Sequence, residues 1–210
     1  MADNKTAIAS TASLSLGQDA ISTFSATSNE PMAKKIWGIF EQTVLELEAN
    51  DWFFSRHFEP RAITSTTAGT PTHGRYKYGY QIPSDSVFLR GLCDEYDEDV
   101  RYRYERRGKY IVTNQVSPIY LLYNEKLVRS NGESDISLMP LWFHRLISAR
   151  IAYILAPNVT ENQKLRGKIE IEWSKAYLHA REMNGEDAYV EGEQGNEDWR
   201  DGARNTALYL

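Results

Sequence analysis

Cysteine is all but missing from this chain. Cys93 stands alone among 210 residues, so no disulfide framework can staple the fold, and a small secreted scaffold is excluded. Long apolar runs are missing too. The longest candidate is broken by Arg150 and ended by Pro157, well short of the roughly 20 apolar residues of a membrane span. The opening Met-Ala-Asp-Asn-Lys-Thr has no basic region followed by an apolar core, so no signal peptide is expected. Histidine is scarce: His57, His73, His144 and His179 fall in no metal-ligand spacing, and neither His-Glu-x-x-His nor Cys-x-x-Cys occurs. Phosphate-cradling glycine patterns are lacking, which leaves nucleotide hydrolysis without support. What is present is ordinary for a soluble globular protein, with 41% hydrophobic and 25% charged residues. The length suits one or two domains and a core that needs no staples. An intracellular, soluble protein is the expectation.

Charge is unevenly placed. The chain carries 24 Lys+Arg and 29 Asp+Glu, a net −5. Glu186, Asp187, Glu191, Glu193, Glu197, Asp198 and Asp201, against Arg200 and Arg204, bring the whole of that excess into the last stretch from Gly185. The body is neutral, which argues against tight binding to a nucleic-acid backbone. Few apolar residues and four glycines predict that residues 185–210 form an acidic, extended tail. Trp199, Leu208 and Tyr209 would be anchors in it for a partner.

Helical signals cluster at both flanks. Thr6 to Leu16 reads as a short helix stopped by Gly17. Pro31 suits the first turn of a second helix, along which Met32, Ile36, Phe40, Val44 and Leu47 make one apolar stripe. Gly38 within it is either tolerated or a point of close helix approach. A third helix is predicted from Met139 to Leu155, with apolar residues on more than one side and Pro157 beyond its exit. The fourth opens on a capping-box pattern, Thr160 to Gln163, carries Leu165, Ile169, Trp173, Ala176, Ala180 and Met183 at helical spacing, and closes at Asn184-Gly185. Between the flanks, Tyr76 to Tyr123 holds nine of thirteen tyrosines, an enrichment that favours strands. Tyr102 and Tyr104 alternate with Arg101, Arg103 and Glu105, and Arg106-Arg107-Gly108 reads as a hairpin loop. The predicted architecture is α+β: a helical bundle of residues 1–60 and 130–184, an inserted antiparallel β-sheet subdomain of 61–129, and the tail.

Chemistry is hard to find. Cys93 precedes Asp94-Glu95, which disfavours a thiolate, so a buried or idle thiol is expected. His179 falls on the polar side of the fourth helix. Asp94, Glu95, Asp97, Glu98 and Asp99 lack the glycine and distal glutamate of a calcium loop. As carboxylate pairs they could serve a glycan or peptidoglycan hydrolase, the alternative function; a solvated sheet edge is the simpler expectation. Arg101, Arg103, Arg106, Arg107 and Lys109, interleaved with Tyr102, Tyr104 and Tyr110, could bind single-stranded nucleic acid. The adjoining acids oppose that field, and neighbouring patches of opposite sign suit contact between copies of one subunit. No catalytic residue, cofactor or metal is expected.

Several segments, in order, resemble the head-to-tail adaptor of short-tailed bacteriophages, the tail tubular protein A family. They are Leu16-Gly17 with Ile21 and Ser22-Thr23-Phe24; Trp52-Phe53-Phe54; Tyr78-Gly79-Tyr80-Gln81-Ile82-Pro83-Ser84-Asp85; and Pro140-Leu141-Trp142-Phe143 through Arg150-Ile151-Ala152. The match covers about residues 6 to 184 and rests on order and spacing, with Asp19-Ala20 where the family often has Glu-Pro. The resemblance implies a structural, non-enzymatic protein of the virion tail, assembled in the host cytoplasm. It implies a dodecameric ring between the portal and the nozzle (tail tubular protein B), with tail fibres as a further contact and genomic DNA passing unbound through the lumen. It places the bundle against the portal and the sheet towards the nozzle. Asp94, Glu95, Asp97, Glu98, Asp99, Arg101, Arg103, Arg106 and Arg107 become candidates for inter-subunit or nozzle contact, and Trp199, Arg200, Leu208 and Tyr209 for portal contact.

Overall fold

The computed structural model describes residues 4–56, 61–63, 76–93, 102–128 and 133–206, with backbone alone for 61–63 and 187–206. The fold is α+β and divides into two compact units. Met1–Val44 and Asp135–Leu210 form one, and Leu45–Ser134 the other. The chain thus leaves the helical unit at residue 44, inside the second helix, and not at residue 60.

The helical unit is built from α1 (Asn4–Ser15), α2 (Pro31–Glu48, its last turn beyond the unit), α3 (Leu141–Val159) and α4 (Gln163–Thr206). Gly17, at φ 72°, stops α1 as its position suggests: the Gln18 amide donates back to the Ser13 carbonyl at 3.1 Å, the closing bond of a Schellman turn. The stripe on α2 is buried at Ile36, Phe40, Val44 and Leu47. A Cβ on Gly38 would meet nothing within 4 Å, so no helix approaches there and the glycine is merely tolerated. α3 is the centre of the unit, packed on both α1 and α4, with Phe143, Leu146, Ile147, Ile151, Ala152 and Leu155 all buried. Ser148 lets α1 come close: its hydroxyl donates to the Ile8 carbonyl at 3.2 Å and is also 3.0 Å from the His144 carbonyl.

Three helix ends differ from expectation. Pro157 lies inside α3, two residues before its end; it costs the helix the single bond that an amide there would donate to the Tyr153 carbonyl, and so near the terminus little helix is left to disrupt. Asn162, not Thr160, caps α4, its Oδ1 accepting from the amides of Lys164 and Leu165 at 3.0 and 3.3 Å. Thr160 instead accepts from the Asn162 amide and holds the cap in place. Finally, α4 runs past Asn184-Gly185 to Thr206, so the backbone there is helical and not extended. Gly185 keeps a helical φ, and glycine inside a helix costs only about 1 kcal/mol relative to alanine.

The β unit contains two three-stranded antiparallel sheets, where a single sheet was expected. One has the order β1 (Arg61–Ile63), β6 (Ile119–Glu125), β3 (Ser86–Cys93); the other β2 (Tyr78–Gln81), β5 (Tyr110–Thr113), β4 (Tyr104–Arg107). β6 and β5 are the central strands, buried along most of their length. Tyr80 and Ile111 from one sheet meet Leu92, Ile119, Leu121 and Tyr123 from the other in one core, with Tyr78, Tyr102 and Tyr104 packed against it. The tyrosine enrichment is therefore mostly core. The Tyr80 hydroxyl donates to the Gln115 carbonyl at 2.9 Å, which satisfies its polar end, and burial raises its pKa above the usual 10.0. The β4–β5 loop is Gly108-Lys109, since Arg107 pairs with Tyr110. Gly108 at φ 60° supplies the positive φ that a type II′ turn needs at its first loop position. Trp52 is fully buried before the turn Phe53–Ser55, its indole donating to the Leu47 carbonyl at 2.5 Å. Asn124 on β6 ties down that turn, donating to the Trp52 carbonyl at 2.8 Å and the Ser55 hydroxyl at 3.0 Å.

Candidate interaction surfaces

Of the charged residues singled out above, Asp94, Glu95, Asp97, Glu98, Asp99 and Arg101 lie outside the described residues, as do Leu208 and Tyr209. Trp199 and Arg200 fall on the final part of α4, where backbone alone is described. The basic stripe is therefore seen through Arg103, Arg106, Arg107 and Lys109. Arg107 is not free: it makes a fork with Glu105, two positions back on the same face of β4, at 3.2 and 3.1 Å. Both are partly solvated, so the pair adds little stability, but it cancels one charge of the stripe. Arg103 is exposed; its carbonyl accepts from the Thr113 hydroxyl at 3.0 Å. Arg106 lies on the opposite face of β4 from Arg107, and its Nε donates to the Gly108 carbonyl at 3.3 Å. Alternation thus splits the arginines between two faces, a weaker polyanion surface than their nearness in sequence suggests.

The helical unit presents a different kind of surface. Leu141, at the start of α3, is 81% exposed. Leu178 and Ile171 on α4 are 62% and 57% exposed and lie two helical turns apart on one face. Leu14 and Leu138 are also more than half exposed. Sequence periodicity missed these residues because it finds the buried rows; they lie between the rows, and their only signal was being too apolar for a solvated face. On the other side of α4, where it meets α3, the Arg150 guanidinium sits over Trp173 at 5.1 Å and Tyr153 at 5.7 Å. The two rings stack at 6.4 Å, and Tyr177 tilts against Trp173 at 5.7 Å. Such a cation among aromatic rings is a feature of contact surfaces as well as of helix packing.

Several other polar groups hold the fold together. Lys5 is buried at the crossing of α1 and α2, its ammonium 2.8 Å from a Glu41 carboxylate oxygen and 5.8 Å from the Phe40 ring centre. The half-buried Glu30 accepts from the Ser22 hydroxyl and amide at 2.5 and 3.3 Å, which holds its carboxyl below the ordinary 4.5. His144 Nε2 is 2.8 Å from the Ile136 carbonyl; a carbonyl can only accept, so that nitrogen carries the hydrogen. His179 is exposed and Cys93 buried, as their positions suggested. His57 and His73 lie outside the described residues. Among those described, no group of three His, Cys, Asp or Glu could hold a metal ion, and no helix is long and apolar enough to cross a membrane. Compared with known protein families and with curated proteins, the chain matches none.

Proposed function

We propose that this chain is a head-to-tail adaptor of a short-tailed bacteriophage virion, one subunit of a ring between portal and nozzle through which the genome passes. The observation that carries the reading is the apolar exposure of the helical unit at Leu141, Leu178, Ile171 and Leu14. Full burial of a leucine or isoleucine is worth about 1.5–3 kcal/mol, and these side chains still have more than half of that to gain. Ile171 and Leu178 share one face of α4, and a paired apolar row of this kind suits a surface completed by another chain. The division into a helical unit made from both ends of the sequence and an inserted β unit agrees with the organisation that the resemblance implies. The splitting of the arginines over two faces suits a conduit that must let DNA go. Portal, nozzle and neighbouring subunits are the partners in this reading; Trp199, Arg200, Leu208 and Tyr209 are assigned to the portal, and Asp94, Glu95, Asp97, Glu98, Asp99, Arg101, Arg103, Arg106 and Arg107 to the nozzle or the next subunit.

Light scattering after size-exclusion chromatography, alone and with portal protein, tests it. The expected result is a closed oligomer or a portal complex, lost when Ile171 and Leu178 are both replaced by lysine. A strict monomer that ignores portal overturns the reading. Truncation after Glu186 should weaken portal attachment; unaltered attachment would remove the tail from the interface.

A further inference from the structure

We infer that the tip of the β unit carries a binding site for a carboxylate on an apolar stem, such as a glutamate beside a leucine in an acidic segment of a partner protein. The β2–β3 turn and the β4–β5 hairpin enclose a cleft of about 280 Å³. Gln81 to Ser84 and Ser86 line one side, and Arg106 and Lys109 the other. The cleft is held by the backbone: the Ile82 amide donates to the Lys109 carbonyl at 2.9 Å, and the Ser86 amide to the Pro83 carbonyl at 3.1 Å. Its form is thus set by the strand register and not by flexible side chains.

The chemistry of the lining is one-sided. Arg106 spends only its Nε, on the Gly108 carbonyl; both terminal nitrogens, and the Lys109 ammonium, have no partner among the described residues. The Ser84 and Ser86 hydroxyls and the Gln81 amide add uncharged donors. No carboxylate is in the lining. Glu105, the nearest acid on the hairpin, lies on the other face of β4 and is held by Arg107. Asp85, between the two serines, is not in the lining, and its carbonyl accepts from the Lys126 amide at 2.7 Å. Two cations that no described carboxylate pairs with favour an anion, and the planar end of a guanidinium matches the two oxygens of a carboxylate.

Half-buried Ile82 and Pro83 form an apolar part of the same cleft, which suits the stem of an acidic side chain and an adjacent aliphatic group. A polynucleotide would need cations repeated along a track and rings on which to stack. This lining has two cations and no aromatic ring, so the acidic peptide is the better fit. The site stands on the β unit alone. It does not depend on the adaptor reading and would survive if the chain proved monomeric.

The test is fluorescence anisotropy of the full chain with a labelled Leu-Glu-Leu-Glu-Leu peptide, its Leu-Gln-Leu-Gln-Leu counterpart and a labelled oligothymidylate. Hydrogen exchange would locate the bound peptide. The acidic peptide is expected to bind and to protect residues 81–86 and 106–110. The glutamine peptide, and the acidic peptide on Arg106→Gln or Lys109→Gln, should each bind at least about tenfold more weakly. Lys168→Gln, on α4, should bind the peptide as the parent chain does. Both altered residues in the cleft are exposed, so thermal melting should be unchanged and loss of fold is separable. Equal binding of the two peptides, no binding at millimolar concentration, protection elsewhere, or tighter binding of the oligothymidylate at this cleft would overturn the inference.

Discussion

Replacing Asn124 by leucine is expected to loosen the β unit by about 2–3 kcal/mol. Asn124 is fully buried on the central strand β6. Its amide nitrogen donates to the Trp52 carbonyl at 2.8 Å and to the Ser55 hydroxyl at 3.0 Å. The orientation of the amide is set by chemistry, since a carbonyl cannot donate and must therefore face the NH₂ group. Each such bond contributes about 1 kcal/mol net, and stranding a buried acceptor adds part of its desolvation cost. That extra cost is small here. The Trp52 carbonyl also accepts from the Ser55 amide at 3.3 Å and the Ser55 hydroxyl at 3.1 Å, so it stays partly satisfied. Aspartate should do more damage than leucine, because it turns a donor into a charged acceptor facing the same carbonyl. A chain of two units has no single unfolding free energy, so the measurement is native-state hydrogen exchange at the Leu121, Leu122 and Tyr123 amides. A change below about 0.5 kcal/mol for leucine, or an aspartate variant as stable as the parent, would refute the reasoning, since surface-like substitutions stay within that range.

Three further outcomes follow from the surfaces. Ser22→Ala removes the largest cause of Glu30's lowered pKa. A carboxyl lowered in the folded state stabilises it above the ordinary pKa of 4.5 and ceases to do so as pH falls through the folded value; the variant should move Glu30 up towards 4.5 in a carbon-13 NMR titration, and an unmoved value counts against the contact. Trp173→Ala should cost the helical unit about 2 kcal/mol, since the ring is half-buried and holds both tyrosines and Arg150; faster exchange of the Ile169 amide would report it, and no change would mean the aromatic cluster serves only partners. Arg103→Glu should leave the melting temperature nearly unchanged, within about 0.5 kcal/mol, because its guanidinium is solvated, yet lower the oligomer mass seen by light scattering. A large loss of monomer stability would make the residue an internal support.

The sequence by itself determined the number and order of the helices, the stop at Gly17 and the buried stripes of α2 and α4. Each follows from local terms: a 3.6-residue period of apolar side chains, and a glycine free to take positive φ. Alternation likewise put Tyr102 and Tyr104 on the inner side of the β unit and Arg103 on the outer. Only the tertiary structure decided how strands partner. Antiparallel propensity says which residues extend, not which neighbour each strand chooses, so one expected sheet became two. Helix ends were just as open, because Thr160 and Asn162 differ by less than the energy of packing α4 against α3, and Gly185 costs too little to end a helix already under way. The exposed leucines and the cationic cleft were beyond sequence for the same reason: a surface is what remains after long-range contacts have claimed their residues. Arg106 and Lys109 meet Ser84 only because β5 joins the two turns, a distance in sequence that no local pattern encodes.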